Sequence, residues 1–474
     1  MAIKVSSSSL SFSPTISTNS FIAMRTVYFG IFVHCLALAD IQVLPSAAVG
    51  VDEDGTIEFL DQNACSAEAS AEKHSWPVGS YSVVSSDPTS ASFFFPGFFD
   101  THIHASQYPN VGLFGKTTLL DWLNSYTFPL ESSFSDLKVA DDVYSRVIAR
   151  TLGNGTTTAA YYATVHTAGT NLLADLALKA GQRAFIGRCC MDANSPDYYC
   201  DKNLEDAQKA TLEVIEHITK IDPDHDIVCP ILTPRFAASC SKELLSWLGK
   251  LSTDTNLPVQ THISENMLEV ELVKSMHTFA DSYAGVYDKC GLLHDKTILA
   301  HAVHLTDDER ALIAKRGSGI AHCPASNSAL TSGETRVKWL LDAGVKVGLG
   351  TDVSGGFTPS ILHTARQALL VSRHLSMKGD ESHKLSIEEV LYLATVGGAE
   401  VCGLADKLGN FLPGKKWDAQ LITLDCKNSP VDIFPWELKT HEDLVAKWLF
   451  NGDDRNVTKV WVDGKLVAGT AFTS

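Results

Sequence analysis

Two histidines separated by one residue end an apolar stretch near the first fifth of the chain. His102 and His104 close the run Pro96-Gly97-Phe98-Phe99-Asp100-Thr101-His102-Ile103-His104. If this run is a β-strand, side chains two residues apart leave the same face. Both imidazoles would then converge on one point, as two ligands of a single metal ion must. The pair is also compatible with ordinary strand residues, so the rest of the chain decides its meaning.

Three further candidates lie at the ends of other apolar runs, namely His262, His301 and Asp352. A single histidine at a strand end is usually an ordinary core or surface residue, but several suitable residues at several strand ends are not expected by chance. A catalytic zinc ion binds nitrogen and oxygen ligands and keeps one position open for water. It lowers the pKa of that water from about 15.7 to about 7. The pattern therefore predicts a zinc hydrolase with His102, His104, His262 and Asp352 as metal ligands.

Two residues near this predicted site could move protons. Glu265 follows His262 by three residues and could carry a proton between water and a leaving group, which is worth roughly 10²–10⁴ in rate. The alternative interpretation is a glutamate in the first turn of a helix, favoured by the helix dipole. His301 could accept the proton of the water or hold a developing oxyanion.

The elements that must position these residues alternate between strands and helices from Pro96 to about Ala405. Predicted strands are 157–162, 183–189, 227–232, 258–262, 297–301, 319–322 and 346–350. Predicted helices are 204–220, 242–252, 267–290, 306–316 and 337–343. Repeated strand–helix order implies a parallel sheet. About eight such units favour a closed (β/α)₈ barrel over an open sheet, and barrel enzymes place their chemistry at the carboxyl ends of the strands.

The two ends of the chain have a different pattern, with strands and tight turns over 24–92 and 406–474. Turn dipeptides at Asp54-Gly55 and Asp463-Gly464 predict hairpins. We expect both ends to pair into one small β-sandwich beside a catalytic domain at 93–405. Residues 1–23 are rich in serine and nearly uncharged, which predicts a disordered extension. The apolar run after Met24 is expected to form strands, although it also resembles a signal peptide counted from Met24.

Charge and cysteine content narrow the classes of function. The net charge is −17 without a sustained basic stripe, which argues against nucleic-acid binding and favours a small substrate. No segment after the N-terminal region is long and apolar enough to cross a bilayer, so no membrane partner is expected. Eleven scattered cysteines without a regular framework fit reduced thiols in a cytoplasmic protein. Secretion stays open as the alternative if the run after Met24 is a signal peptide.

Several longer motifs carry a family resemblance. Besides the histidine pair, they include Gly350-Thr351-Asp352, Ala105-Ser106-Gln107-Tyr108-Pro109-Asn110, Thr233-Pro234-Arg235-Phe236, Thr261-His262-Ile263-Ser264-Glu265-Asn266 and Ala321-His322-Cys323-Pro324-Ala325-Ser326-Asn327. With these motifs the chain resembles the amidohydrolase superfamily and, within it, the guanine deaminases. The match extends from about Met24 to Lys465, which suggests that the ordered enzyme begins near Met24.

The resemblance implies residue roles and an activity. It implies one zinc ion per subunit bound by His102, His104, His262 and Asp352, with Glu265, His301 and Asp352 in catalysis. It also implies that Gln107, Arg235 and Glu265 contact a purine, that Phe236 stacks near it, and that the enzyme is a homodimer. The implied reaction is the hydrolytic deamination of guanine to xanthine and ammonia.

One position departs from the family pattern, and two other functions stay open. Ala325 occupies a site where related sequences often carry a polar residue, so we assign it no substrate role. The first alternative is a deaminase of the same scaffold that acts on a triazine, a pterin or a nucleoside. The second is a catalytically silent barrel that serves as an assembly protein.

Overall fold

The computed structural model describes residues 24–86, 91–116, 118–434 and 436–470, so the predicted extension at 1–23 lies outside the described residues. The strands are β1 (Arg25–Ala37), β2 (Asp40–Val51), β3 (Ile57–Asp61), β4 (Tyr81–Ser85), β5 (Ser92–Pro96), β6 (Phe98–His104), β7 (Thr156–Tyr162), β8 (Arg183–Gly187), β9 (Cys189–Cys190), β10 (Val228–Pro230), β11 (Thr233–Pro234), β12 (Val259–Ile263), β13 (Thr297–His301), β14 (Gly319–His322), β15 (Lys346–Leu349), β16 (Ala419–Thr423), β17 (Val457–Val462) and β18 (Lys465–Ala468).

The helices are α1 (Ala67–Lys73), α2 (Leu119–Trp122), α3 (Phe128–Ser132), α4 (Leu137–Gly153), α5 (Thr167–Ala180), α6 (Leu204–Ile221), α7 (Lys242–Thr255), α8 (Met267–Met276), α9 (Tyr283–Lys289), α10 (Asp307–Arg316), α11 (Pro324–Ala329), α12 (Val337–Asp342), α13 (Ile361–Ser376), α14 (Ile387–Ala394), α15 (Val396–Val401) and α16 (His441–Asn451).

Two parallel sheets of four strands form the central part of the fold. Their strand orders are β10-β8-β7-β6 and β12-β13-β14-β15, and the short strands β9 and β11 form a separate parallel pair. Helices alternate with these strands along the chain, as the repeated strand–helix pattern predicted. The parallel strands are almost wholly buried, as expected where helices cover a parallel sheet.

Backbone hydrogen bonds connect the two parallel sheets at two places. The amide of Asp352, just after β15, donates to the carbonyl of His102 on β6 at 2.8 Å. On the other side, Leu232 donates to Pro258 and accepts from Gln260 on β12, both at 2.9 Å. The carboxyl ends of β6, β12, β13 and β15, which carry the candidate site residues, are thereby tied to one another.

A third sheet takes strands from both ends of the chain. Its order is β18-β17-β16-β5-β1-β2-β3, with β4 pairing to β1. The apolar run after Met24 thus forms β1, as the strand interpretation predicted. Aromatic side chains from both chain ends pack in its core, where Tyr28 stacks on Trp417 with ring centroids 4.0 Å apart. The two ends are therefore held together by antiparallel pairing and by a shared aromatic cluster.

The element bounds predicted from sequence differ from the structure in one long helix. The segment 267–290 was expected to form one helix, but α8 ends at Met276 and α9 starts at Tyr283. Ser282 has extended backbone angles, and its hydroxyl accepts the amide of Gly285, so it begins a new helix as an N-cap. The apolar spacing alone did not reveal this break.

Both tails also contain a helix that the β pattern did not predict. Ser66 caps α1, and Thr440 forms a capping box with Asp443 at the start of α16. Both caps are short polar side chains that satisfy free amide groups at the helix start. These sequence signals were present, but the surrounding strand-like residues obscured them.

Two features of the structure bear on the compartment of the protein, namely the state of its cysteines and the length of its helices. All eleven cysteines lie in the described part of the chain, and all are free thiols. Among the described residues, every helix is too short or too polar to cross a bilayer.

Candidate functional site

The site begins with the two histidines at the end of β6. His102 and His104 are buried, with 0% and 2% of their surface exposed. Their rings meet edge to face with centroids 5.0 Å apart. The spacing of two residues along the strand places both imidazoles in one cluster.

His262 and Asp352 reach the same cluster from the ends of β12 and β15. The Nε2 atoms of His104 and His262 are 3.2 Å apart. The Oδ1 atom of Asp352 lies 3.2 Å from Nε2 of His102 and 3.6 Å from Nε2 of His104. The structure therefore brings together all four residues that the sequence predicted as metal ligands.

Backbone contacts fix which ring nitrogen of His262 faces the cluster. Its Nδ1 lies 2.5 Å from the carbonyl oxygen of Arg235, so we assign the proton to Nδ1. The lone pair of Nε2 then faces His104. Among the described residues, Nδ1 of His104 and both ring nitrogens of His102 have no hydrogen-bond partner. A buried polar nitrogen without a partner is costly unless a ligand or an ion satisfies it.

The cluster offers two overlapping sets of candidate ligands for a cation, namely His102, His104 and Asp352, and His102, His262 and His301. Burial lowers the pKa of His104 and His262 well below the usual range, so both rings are neutral and can offer a lone pair to a cation. Burial opposes the charge of Asp352, but the neighbouring His102 outweighs it and the pKa of the carboxyl is lowered. A cation would satisfy this set of neutral imidazoles and a carboxylate, which is a ligand type that suits zinc.

His301 lies beside the cluster at the end of β13. Its Nδ1 is 2.9 Å from Oδ1 of Asn327, so we assign it as a donor to that oxygen. Its Nε2 then faces Glu265 and Asp352, at 3.5 and 3.8 Å from their carboxylate oxygens. Burial lowers the pKa of His301, but the two carboxylates outweigh burial and raise it. His301 can therefore hold a proton or an oxyanion at this edge of the cluster.

Glu265 has the properties of a group that exchanges protons near neutral pH. It is 3% exposed, and Ser332 donates a hydrogen bond of 3.0 Å to its Oε1. Burial is the main reason that its pKa is raised to about 7. Glu265 precedes Asn266, the N-cap of α8, so it does not lie in the first helical turn. The first-turn glutamate is Glu269, which accepts the amide of Glu265 at 2.9 Å and so fixes its backbone.

A pocket opens onto the metal-type cluster, which is formed by His102, His104, His262 and Asp352. All the residues predicted to contact substrate line it, namely Gln107, Arg235, Phe236 and Glu265. Its apolar lining comes largely from Leu119, Trp122, Leu123 and Leu330. A flat, polar-edged molecule would therefore meet apolar faces and a few buried polar groups.

Gln107 and Arg235 are joined by a residue that the sequence reasoning missed. Glu131 is fully buried, accepts a hydrogen bond of 2.9 Å from Gln107 and forms an ion pair with Arg235. Asn327, which orients His301, and Ser332, which contacts Glu265, were also missed as functional positions. All three lie on connections between strands rather than at strand ends, so spacing gave no signal. Asn327 belongs to a quoted motif and could have been noticed there.

Three positions around the cluster have left-handed backbone angles. The φ values of Ser264, His301 and Asp352 are 50°, 74° and 46°. Such angles cost of order 1–3 kcal/mol for residues with a side chain and tend to occur at functional sites. His301 and Asp352 adopt this conformation and direct their side chains into the site, where they lie 3.8 Å apart. The sequence predicted these two residues as site residues but not their backbone geometry.

Comparisons with known proteins show the family to which the chain belongs. The family model described as "Amidohydrolase family" matches residues 93–467. A probable guanine deaminase of Schizosaccharomyces pombe is 48% identical over 94% of this chain and 83% of its own length. The guanine deaminase of Homo sapiens is 41% identical over 93% of this chain and 96% of its own length.

A solved structure shares the whole fold. A guanine deaminase from C. acetobutylicum, determined with guanine bound in its active site, superposes with a TM-score of 0.84. The match has 34% sequence identity and covers 94% of this chain and all of the other. The resemblance inferred from the sequence motifs is thus confirmed.

Proposed function

The chain belongs to the amidohydrolase family, and from that premise we propose that it hydrolyses guanine to xanthine and ammonia with one zinc ion per subunit. One observation carries the proposal. A cluster of three imidazoles and a carboxylate shares a single pocket with the buried polar side chains of Gln107 and Arg235. Such a pocket can activate water and recognise a polar heterocycle at the same time.

Four residues would hold the metal ion, namely His102, His104, His262 and Asp352. A bound zinc ion supplies a strong nucleophile at neutral pH, because it acidifies water. The protein's part is to fix the donor atoms. The carbonyl of Arg235 orients His262, and the backbone hydrogen bond from the Asp352 amide to the His102 carbonyl holds the two residues side by side.

The proton transfers fall to Glu265 and His301. Glu265 takes one proton from the attacking water and passes it to the ring nitrogen N3 as the oxygen bonds to C2 of guanine. The second proton of the water reaches the amine on C2, the C2–N bond breaks to release ammonia, and the oxygen stays on C2 as the second carbonyl of xanthine. A carboxyl with a pKa of about 7 can both accept and donate protons at neutral pH. His301 stabilises the oxygen that gains charge at C2, because its Nε2 faces that edge of the pocket.

Substrate recognition is assigned to Gln107, Arg235 and Phe236. Arg235 would donate to O6 of guanine, and Gln107 would bind a second polar edge. The ring of Phe236 lies 6.3 Å from that of His262 and offers one face for stacking. A site built to bond a polar substrate atom strongly rejects analogues that lack it. Adenine carries an amine in place of O6 and should therefore be a poor substrate.

We also propose how the sheets are arranged. The two parallel sheets would close into one (β/α)₈ barrel within a catalytic domain at 93–405, supported by the backbone bonds between β15 and β6 and between Leu232 and β12. Residues 24–92 and 406–474 would form a β-sandwich around the aromatic cluster of Tyr28 and Trp417.

The compartment and the oligomeric state are also part of the proposal. Free cysteines support a reducing compartment, so we propose that the protein is cytoplasmic. From the family resemblance we propose that it is a homodimer. Light scattering on the purified protein would test the dimer.

The proposed activity is tested with one purified sample of the full chain. Bound zinc is measured by elemental analysis, and turnover is followed by guanine absorbance and ammonia release. We expect about one zinc per subunit and rapid loss of guanine. Adenine, cytosine, 8-azaguanine and S-adenosylhomocysteine form the comparison panel. Faster turnover of another heterocycle, or protein that holds no metal and releases no ammonia, would overturn the proposal.

A further inference from the structure

Glu131 lies in α3, outside the residues assigned so far to metal binding, proton transfer or substrate contact. Its side chain is fully buried, and both of its oxygens are saturated with donors. Oε1 accepts from Gln107 Nε2 at 2.9 Å and from Arg235 Nη2 at 3.1 Å. Oε2 accepts from Arg235 Nη1 at 2.5 Å and from the hydroxyl of Tyr199 at 2.6 Å. One carboxylate therefore holds both polar groups proposed to read the substrate.

The contact with Glu131 fixes how the amide of Gln107 is turned. The other end of that amide, Oε1, accepts the backbone N–H of Ser354 at 3.1 Å. A carboxylate on one side and an N–H donor on the other leave only one orientation of the amide that satisfies both. The direction of the remaining N–H of Gln107 is then set before any substrate arrives.

The same carboxylate fixes the plane of Arg235. The bond is bidentate, and a guanidinium held in this way cannot rotate out of the plane of its partner. Phe128, three residues before Glu131, packs under the guanidinium with its ring centroid 5.3 Å away. The helix α3 thus supports Arg235 both by charge and by packing.

Glu131 also cancels the positive charge of Arg235. Arg235 and Glu131 form a fully buried ion pair in which the guanidinium and the carboxylate face each other directly. The pair is neutral as a whole, and it lies at the substrate end of the pocket. A buried guanidinium without a partner would instead attract anions strongly.

We propose that Glu131 is a positioning residue that aims the donors of Gln107 and Arg235 and cancels the charge of Arg235, so that the pocket accepts a neutral base and disfavours an anionic one. The inference rests on the proposed deamination of guanine. Guanine is uncharged at neutral pH. Xanthine carries a second carbonyl in place of the amine, is the stronger acid, and forms an anion as the pH rises. Glu131 would therefore favour release of the product over its retention.

The test uses Glu131→Gln, which keeps the shape of the side chain and removes its charge. We expect the KM for guanine to rise about tenfold or more, with a much smaller change in kcat, because the donors lose their direction. Zinc content should stay at the wild-type level. Inhibition by added xanthine should become stronger as the pH is raised from neutral to mildly alkaline, in contrast to the wild-type protein. A purely structural role would not change the pH dependence of product inhibition.

Glu131→Asp and Asp201→Asn complete the experiment. Glu131→Asp keeps the charge on a shorter side chain, so its KM should rise while its xanthine inhibition keeps the wild-type pH dependence. Asp201 forms an equally buried pair with Arg188 outside the pocket. Asp201→Asn should lower thermal stability and leave both the KM and the inhibition unchanged.

The outcomes separate this inference from the proposed function. If the wild-type protein does not turn over guanine, the proposed function fails. If the wild-type protein is active but Glu131→Gln keeps its KM and its pH dependence of inhibition, only the role of Glu131 is overturned. If Glu131→Gln does not fold, Glu131→Asp decides, because a wild-type KM in that variant contradicts positioning. Matching effects in Asp201→Asn would also contradict it.

Discussion

Single residues at strand ends account for most of the chemistry proposed for this protein. The metal-type cluster joins His102, His104, His262 and Asp352 although they are far apart in sequence. Each side chain directs a nitrogen or oxygen atom that can bind a metal ion toward the other three. Replacing any one of them would remove a donor atom from the set that would hold the metal ion.

Glu265 provides the sharpest test at the scale of one residue. Glu265→Gln keeps the size of the side chain and the contact from Ser332 but cannot exchange a proton. We expect kcat for guanine to fall by roughly 10²–10⁴ while zinc content and the melting temperature stay close to wild type. Steady-state kinetics and elemental analysis measure both.

A matched control for Glu265→Gln is available elsewhere in the chain. Glu309 is a similarly buried glutamate in the capping box of α10, and it lies outside the pocket. Glutamine also forms capping boxes, so Glu309→Gln should retain normal turnover. Wild-type turnover in Glu265→Gln would remove Glu265 from the proposed mechanism.

Sequence reasoning worked best for residues whose position follows from spacing. The two-residue spacing of His102 and His104, and the strand ends at His262 and His301, predicted the cluster. Glu131 could not be predicted in this way. It meets Arg235 only because the short helices between β6 and β7 bring it there, and no local period in the sequence predicts such a contact.

At the scale of elements, the joint between β6 and the end of β15 holds two of the candidate ligands in register. Asp100 on β6 accepts the hydroxyl of Thr351 at 2.5 Å and the amide of Thr351 at 2.9 Å. Thr351 directly precedes Asp352, and Asp100 lies two residues before His102. The first and last strands of the parallel set are therefore fastened together immediately behind the cluster.

Thr351→Val tests this joint because valine has nearly the same shape and lacks the hydroxyl. We expect zinc affinity to fall about tenfold, in line with the usual effect of removing a group that supports metal ligands. Guanine kinetics at saturating zinc should change little. Competition with a chromogenic chelator measures the affinity.

Thr364→Val is the control for the joint. Thr364 is also buried, but within the described part of the chain its hydroxyl bonds only to the carbonyl of Ser360 at the start of its own helix α13. Its replacement should leave zinc affinity unchanged. Equal losses in both variants would mean that the effect is general destabilisation rather than the joint between β6 and β15.

The type and bounds of an element could be predicted where one sequence pattern dominated. The prediction failed where a capping signal interrupted the apolar spacing. The strand at Gly319–His322 has the predicted bounds, and the helix predicted at 204–220 is one residue longer. The helix predicted at 267–290 is interrupted because Ser282 caps a new helix. Local capping decided that outcome, and apolar spacing could not reveal it.

At the scale of the whole molecule, metal binding and stability should be linked. Without a cation, ring nitrogens of the buried imidazoles lack polar partners among the described residues. Zinc should therefore bind the folded state, which brings these nitrogens together, far better than the unfolded chain. Zinc at about 1,000 times its dissociation constant would add about 4.1 kcal/mol to the free energy of unfolding.

Removing the metal tests this linkage. Dialysis against a chelator should abolish guanine turnover and lower the melting temperature, and added zinc should restore both. Calorimetry with and without zinc measures the shift, and magnesium serves as the control ion because it prefers oxygen ligands. Full activity in protein shown to lack metal would contradict the proposed chemistry.

The tail sheet and the parallel sheets are joined by one buried ion-pair network. Arg183 on β8 donates to Asp418 at 2.7 Å and to Asp463 at 3.1 Å, and Asp418 also accepts the amide of Asp463 at 2.8 Å. Both aspartates belong to the C-terminal part of the chain, just before β16 and after β17. Loss of one partner leaves a buried guanidinium incompletely paired.

Asp418→Asn should therefore cost about 3–5 kcal/mol of the free energy of unfolding, whereas removal of an exposed pair costs about 1 kcal/mol or less. The exposed pair of Arg150 and Asp454 provides that comparison through Asp454→Asn. Tryptophan fluorescence follows unfolding of the whole chain, including Trp417 and Trp461 in the tail core, while guanine turnover follows the site. Urea titrations should give one transition for both signals, shifted together in Asp418→Asn. Separate transitions, or a shift no larger than that of Asp454→Asn, would mean that the network does not couple the two parts.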